Sequence, residues 1–194
     1  QDNVSQLALM ATPWDFHQPS ASKAKAYASY TKAIDPLLKS AGHLPTDILQ
    51  SLFTGLDPFL VMTKFSKFAG YDQDCQKAKH FVALEDWLND GVPLEAEVAR
   101  DCLIGWYGEN RPANGLWKVN GLKINPAEFK KPALALIPTG DKIVPLQSAT
   151  SLSNALPNVK RLHPSLGHIG MVVGRGAKEQ VWQELASFFK GECS

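Results

Sequence analysis

The chain has 194 residues, with 44% hydrophobic and 20% charged side chains, enough for one good core with a modest appendage. Twenty basic residues against nineteen acidic ones leave a net charge of +1. Without a basic block, neither a nucleic acid nor an anionic membrane surface is indicated as a partner. The three cysteines (Cys75, Cys102, Cys193) have neither CxxC nor metal-ligand spacing, which fits a reducing, cytoplasmic setting. No apolar run approaches membrane-spanning length, and no signal peptide is visible.

The chain opens on Leu7-Ala-Leu-Met-Ala11, a short apolar run that reads as a buried parallel strand. Thr12-Pro-Trp-Asp-Phe-His17 follows as a loop. A buried strand needs neighbours on both sides. One standing first in the chain therefore implies sheet partners upstream and a truncated larger domain; an edge strand is the alternative.

Residues 20 to 39 read as a helix ending near Gly42. From Leu44 to Ala69 the apolar residues (Ile48, Leu49, Leu52, Phe53, Leu56, Phe59, Leu60, Met62, Phe65, Phe68) recur near 3.6, with Pro45 at a start, a break at Pro58 and a stop at Gly70. Lys77 to Asn89 places Phe81, Val82, Leu84, Trp87 and Leu88 on one side, ending at Asp90-Gly91. Pro93 then opens a helix through Val98, Cys102, Ile104 and Trp106. Residues 20 to 110 thus carry no strand signal and read as a helical cap or lid.

Asn110 to Asn120 is a loop, and Val119 to Ile124 reads as a short strand before a turn at Asn125-Pro126. Leu134 to Ile137, bounded by Pro132 and Pro138, is a buried strand with Asp141 just past its end. A helix from Leu146 to Leu156 and a strand from Val159 to Leu162 lead to Pro164-Ser-Leu-Gly-His168. Gly176 to Lys190 closes the chain as an amphipathic helix with Val181, Trp182, Leu185, Phe188 and Phe189 inward.

In open α/β sheets, functional groups collect beyond the carboxyl ends of strands. Asp141 and His168 each stand on such a loop, with one helix between them. Acyl transfer needs an imidazole to carry a proton and a carboxylate to fix its tautomer. Taken singly, Asp141 reads as a helix cap and His168 as a surface loop histidine. Taken together, and in this order, they read as catalytic acid and base. His163, at a strand end, is a weaker base.

No Gly-x-Ser/Cys-x-Gly elbow occurs, so the nucleophile is expected before Gln1 and this chain alone is expected to be inactive. Cys102 reads as a buried apolar residue. Asp15 and His17 are too few for a metal site, and no metal is assigned. Gly170 to Gly176 lacks a phosphate-binding context, so Arg175 reads as a surface residue.

Ala11-Thr-Pro-Trp-Asp-Phe-His17, Phe81-Val-Ala-Leu-Glu-Asp-Trp-Leu-Asn-Asp-Gly91 and Gly167-His168-Ile169 together resemble the C-terminal half of the polyhydroxyalkanoate synthase (PhaC-like) branch of the α/β hydrolases. The resemblance implies the C-terminal part of an α/β-hydrolase fold. In that fold, 1–19 is a core strand and loop, 20–118 an inserted helical cap, and 119–194 the core carrying the acid and base loops.

The resemblance maps the acid onto Asp141 and the base onto His168. It implies a Cys elbow in the missing N-terminal half and polyester formation from 3-hydroxyacyl coenzyme A thioesters. It further implies a cap-mediated homodimer and no bound cofactor. Trp14, Asp15, His17, Trp87 and Trp106 are the candidate substrate-binding residues, several of them lining an apolar acyl channel. One departure stands out. Asp141 is followed by Lys142-Ile143 where synthases carry His-Ile, and Leu146 stands where they place an aromatic after the Pro. A generic esterase or thioesterase therefore remains an alternative, as does a non-catalytic hydrolase-like binding module.

Overall fold

A computed structural model of the chain describes residues 3–55 and 58–191; Leu56 and Cys193, and the side chain of Leu60, lie outside the description. The residues form two compact units, 1–32 with 101–194 and, separately, 33–100.

The first unit is built on a parallel sheet of β1 (Leu7–Met10), β6 (Ala133–Leu136) and β7 (Val159–Leu162), in the order β1-β6-β7. Leu7, Ala8, Leu9 and Met10 stand opposite Ala133, Leu134, Ala135 and Leu136. These in turn stand opposite Val159, Lys160, Arg161 and Leu162. All four residues of β6 are buried, as a central strand of continuous apolar character requires.

One expectation for the first strand needs correction, its last residue. β1 has one strand neighbour among the described residues, and its four residues are half-buried. Ala11, expected as the strand's last residue, turns into the left-handed region at φ 43° while its N–H still donates to the Leu136 carbonyl at 2.9 Å.

The core gathers on this sheet. Leu134, Leu136, Ile137, Val144, Ala149, Met171 and Val181 form one buried cluster, joined by partly buried Met10, Leu185 and Phe188. Helix α6 (Leu146–Ala155) follows β6, and α7 (Gly170–Val173) follows β7. A π-helical turn Lys178–Trp182 then leads into α8 (Gln183–Lys190). The closing helix is thus shorter and partly π-wound, and Trp182 and Phe189 stand largely exposed rather than inward. Gly191, at φ 74°, caps α8 in the left-handed conformation that glycine takes without strain.

Between Asp101 and Phe129 the first unit is irregular. Asp101–Gly108 is π-helical, and β4 (Lys118–Val119) and β5 (Leu122–Lys123) form an antiparallel hairpin. A single strand over Val119–Ile124 was expected. Asn120 and Gly121, at φ 50° and 78°, instead make the left-handed two-residue turn of a hairpin. Asn125 caps the short 3-10 turn Pro126–Glu128 through its side chain.

The second unit is helical. It contains the C-terminal part of α1 (Ala21–Ala41) from Ala33 on, with α2 (Thr46–Thr54), α3 (Pro58–Ala69), α4 (Gln76–Asn89) and α5 (Ala96–Arg100). Pro45 and Pro58 sit where α2 and α3 begin. Phe81 stacks on Phe68 at 4.5 Å and meets Phe65 edge-on at 5.6 Å, and Lys64 pairs with Glu85 at 2.6 Å. Val82, Trp87 and Leu88, expected on an inward face, are exposed.

One further expectation is corrected in this unit. Leu94 and Glu95 do not open a helix; as β3 they bridge antiparallel to β2 (His43–Leu44), with Leu44 fully buried. Two-residue bridges are too short to show a period-2 pattern, so the sequence concealed them. Among the described residues no helix is long and apolar enough to cross a membrane.

Candidate active site

The parallel ladder places the ends of β1, β6 and β7 at one edge of the sheet, and backbone hydrogen bonds continue past them. The Ile137 N–H donates to the Leu162 carbonyl at 2.9 Å, Thr139 to Pro164 at 3.0 Å and Gly140 to Leu166 at 3.0 Å. The loops carrying Asp141 and His168 are thereby zipped together. Gly140 permits the close approach, since a Cβ there would lie 3.0 Å from the Leu166 carbonyl oxygen.

At the end of this zipper, Asp141 and His168 meet. Asp141 Oδ2 and His168 Nδ1 are 2.8 Å apart. A carboxylate can only accept, so Nδ1 carries the proton and donates. The other carboxylate oxygen, Oδ1, accepts from the N–H groups of Ile143 at 2.8 Å and Val144 at 2.9 Å. The Asp141 side chain is 1% exposed, that of His168 32%. Burial pushes the Asp141 carboxyl upward. The His168 hydrogen bond and the two backbone donors outweigh it and hold the group below its ordinary value of 3.8. The result is an ionised, immobile acid gripping one ring nitrogen of a histidine whose remaining surface reaches solvent.

The loop after β1 lies at the same edge. The Trp14 N–H donates to Ser148 Oγ on α6 at 3.3 Å. Trp14 meets Trp117 at 6.0 Å, Trp117 meets Trp106 at 5.2 Å, and Phe16 meets Trp106 at 5.5 Å. These rings, with Leu9, Leu152 and other apolar side chains, line a pocket of about 420 Å³.

Trp14 and Trp106 are therefore brought together. Trp117, equally part of the cluster, was missed because it stood in a segment read as loop. Asp15 and His17 are tied into the loop itself: Asp15 Oδ1 accepts from the His17 N–H at 3.0 Å, and His17 Nε2 donates to the Tyr107 and Gly108 carbonyls at 3.2 and 3.3 Å. Among the described residues no three His, Cys, Asp or Glu side chains are grouped to hold a metal ion. Trp87 belongs to the second unit, on α4, and is 57% exposed. His163 is exposed past the end of β7.

Neither described cysteine has the setting of a nucleophile. Burial pushes the Cys102 thiol up, and the Asp101 carboxylate adds to this, so it stays protonated. Cys75 caps α4, its sulfur accepting from the Ala78 N–H at 3.4 Å.

No family model matches the chain. Among curated proteins it is 27% identical over 183 residues to the poly(3-hydroxyalkanoate) polymerase subunit PhaC of Allochromatium vinosum and 28% identical to that of Thiocystis violacea. Each match covers 93% of this chain and 51% of the relative. The PhaC subunit of Haloarcula marismortui is 23% identical, over 97% of this chain and 40% of the relative. The chain thus spans about half the length of the curated relatives it matches.

Among solved structures it is similar to the protein named non-heme bromoperoxidase BpoC of Mycobacterium tuberculosis H37Rv (TM-score 0.53, 17% identity, 98% of this chain and 59% of that one). It is equally similar to Rv0554 of the same species (TM-score 0.53, 18% identity, 98% and 58%). The fold is that of an α/β hydrolase, and the resemblance to PhaC subunits extends over nearly the whole chain.

Proposed function

We propose that this PhaC-like chain carries the acid and the base of a nucleophile–His–Asp acyl-transfer site, with Asp141 as the acid and His168 as the base. The observation that carries this reading is the 2.8 Å hydrogen bond between a buried carboxylate and a half-exposed imidazole at the carboxyl edge of a parallel sheet. The nucleophile, by this proposal, belongs to the half of the protein that the PhaC relatives have beyond the matched region. The raised Cys102 thiol and the capping role of Cys75 support placing it there.

In this mechanism Asp141 holds Nδ1 protonated, which leaves the Nε2 lone pair as the base. His168 Nε2 takes the proton from the thiol or hydroxyl of the nucleophile as its sulfur or oxygen attacks the acyl carbonyl carbon. The tetrahedral intermediate collapses with cleavage of the bond to the leaving group, which departs with the proton from His168. For a coenzyme A thioester the leaving group is the free thiol. A hydroxyl acceptor then gives up its proton to His168 and takes the acyl group; water in its place gives hydrolysis.

The substrates proposed are 3-hydroxyacyl coenzyme A thioesters or the corresponding polyesters, with Trp14 and Trp106 facing the acyl part. Coenzyme A enters as part of the substrate, not as a resident cofactor. The helical unit 33–100 is proposed as a cap, with exposed Phe59, Met62 and Trp87 available for a homodimer contact.

A plain esterase or thioesterase is the second reading, favoured by Lys142 after the acid and Leu146 after Pro145. The deciding experiment uses the protein together with its proposed upstream half. Release of free thiol from a 3-hydroxyacyl coenzyme A thioester is measured, with chain growth assayed alongside. Thiol release with polymer supports the synthase reading, and release without polymer supports the hydrolase. No turnover on thioesters or esters overturns both in favour of a binding module.

A further inference from the structure

Asn110 is 5% exposed and sits in the left-handed region at φ 52°. Its side chain is used at both ends. Nδ2 donates to Asp15 Oδ1 at 2.8 Å, and Oδ1 accepts from the Phe16 N–H at 2.9 Å. The same Asp15 oxygen accepts from the His17 N–H, and His17 reaches back to the Tyr107 and Gly108 carbonyls. The loop after β1 is thereby stapled to the end of the π-helical segment at three consecutive residues.

Few residue types meet these demands. The left-handed backbone favours Gly, Asn or Asp. Gly has no side chain to reach the loop. Asp could accept from Phe16 but could not donate to the Asp15 carboxylate, and would set two acids face to face. Asn alone satisfies backbone, acceptor and donor.

The staple holds more than a turn. Phe16, whose N–H it fixes, packs on Tyr107 at 5.0 Å and on Trp106 at 5.5 Å. Trp14, two residues earlier, packs on Trp117. Trp14, Phe16, Trp106 and Trp117 are all part of the lining of the 420 Å³ pocket, which includes no charged side chain. Its size is that of a small-molecule site.

We propose that Asn110 is a positioning residue: it fixes the loop Thr12–His17 so that Trp14 and Phe16 form the aromatic wall of an apolar subsite for the acyl chain. This rests on reading that pair as an acyl-transfer site. Asn110 does not touch the reacting atoms. Its loss loosens the grip on the acyl chain and leaves the acid–base pair as it is.

The test has two independent readouts, both on the protein with its upstream half. In Asn110→Gly, which keeps the backbone conformation and removes the staple, amide hydrogen exchange at Phe16 and His17 rises roughly tenfold or more. Exchange at Leu134–Ile137 does not change. KM for a 3-hydroxyacyl coenzyme A thioester rises roughly tenfold while kcat changes by less than about threefold. Asn110→Asp behaves similarly. Combining it with Asp15→Asn exchanges donor and acceptor between the same two positions and brings KM back toward the parent value.

Unchanged exchange at Phe16 and His17 overturns the staple. Faster exchange with unchanged KM, or a double variant no better than Asn110→Asp, overturns the positioning role. If the parent protein turns over no acyl substrate, the acyl-transfer reading and the subsite fail together, while the exchange data still decide whether the staple exists.

Discussion

Asp141 Oδ2 and His168 Nδ1 lie 2.8 Å apart although 27 residues separate them in the chain. Two adjacent parallel strands and three further backbone hydrogen bonds bring their loops together, so the pair is set by the sheet and not by a flexible encounter.

Replacing Asp141 with Asn removes the charge that fixes the imidazole tautomer. In the protein with its upstream half, kcat is expected to fall by roughly 10³–10⁴ with little change in KM. His168→Ala is expected to fall at least as far. Steady-state kinetics check both, and near-parent rates in either variant sink the assignment.

The depressed Asp141 carboxyl also predicts how stability responds to acid. A group held below its ordinary value favours the folded state when ionised. Its contribution is present in full above 3.8 and is lost as pH falls from there through the folded value. Urea unfolding of the 194-residue chain between pH 2 and 6 should show a shallower acid limb in Asp141→Asn than in the parent. Equal slopes would mean that the carboxylate is not stabilised in the fold.

Gly140→Ala tests the zipper. The new methyl would lie 3.0 Å from the Leu166 carbonyl oxygen and 3.3 Å from its carbon, both backbone atoms that cannot rotate away. A loss of about 1–3 kcal/mol is expected from such overpacking, together with a drop in kcat as the acid and base loops part. Equilibrium unfolding and kinetics on the same variant check the two effects.

Leu136→Ala removes a fully buried side chain from the central strand. A loss of about 2–5 kcal/mol in unfolding free energy is expected. An unfolding midpoint within error of the parent would show that the β6 packing is not as described.

Gly121→Ala serves as a control remote from the dyad. Gly121 holds φ 78° in the β4–β5 turn with open space around it, so the cost is backbone strain alone, roughly 1 kcal/mol. Thermal unfolding should shift modestly while kinetic constants stay put.

Much of this was legible in the residues. Leu134–Ile137 announced its strand by a continuous apolar run between prolines, and Val159–Leu162 as a short segment between Asn158 and Pro164. Asp141 and His168 stood out by their order and their places after strands, and the structure sets them 2.8 Å apart. The Asn120-Gly121 dipeptide was a readable hairpin signal, overlooked because the flanking strands are two residues each. The π-helical turns were not legible, since the apolar spacing of Asp101–Gly108 satisfies an ordinary helix as well.

What the sequence determined by itself is the set of elements and the chemical types at their ends, because both follow from local periodicity and turn chemistry. Only the tertiary structure decided the partnerships: that β6 lies between β1 and β7, that Gly140 lets two loops close, and that Asn110 reaches Asp15 and Phe16 some 94–95 residues away. These depend on which backbones lie side by side, and no single stretch of the chain carries that information.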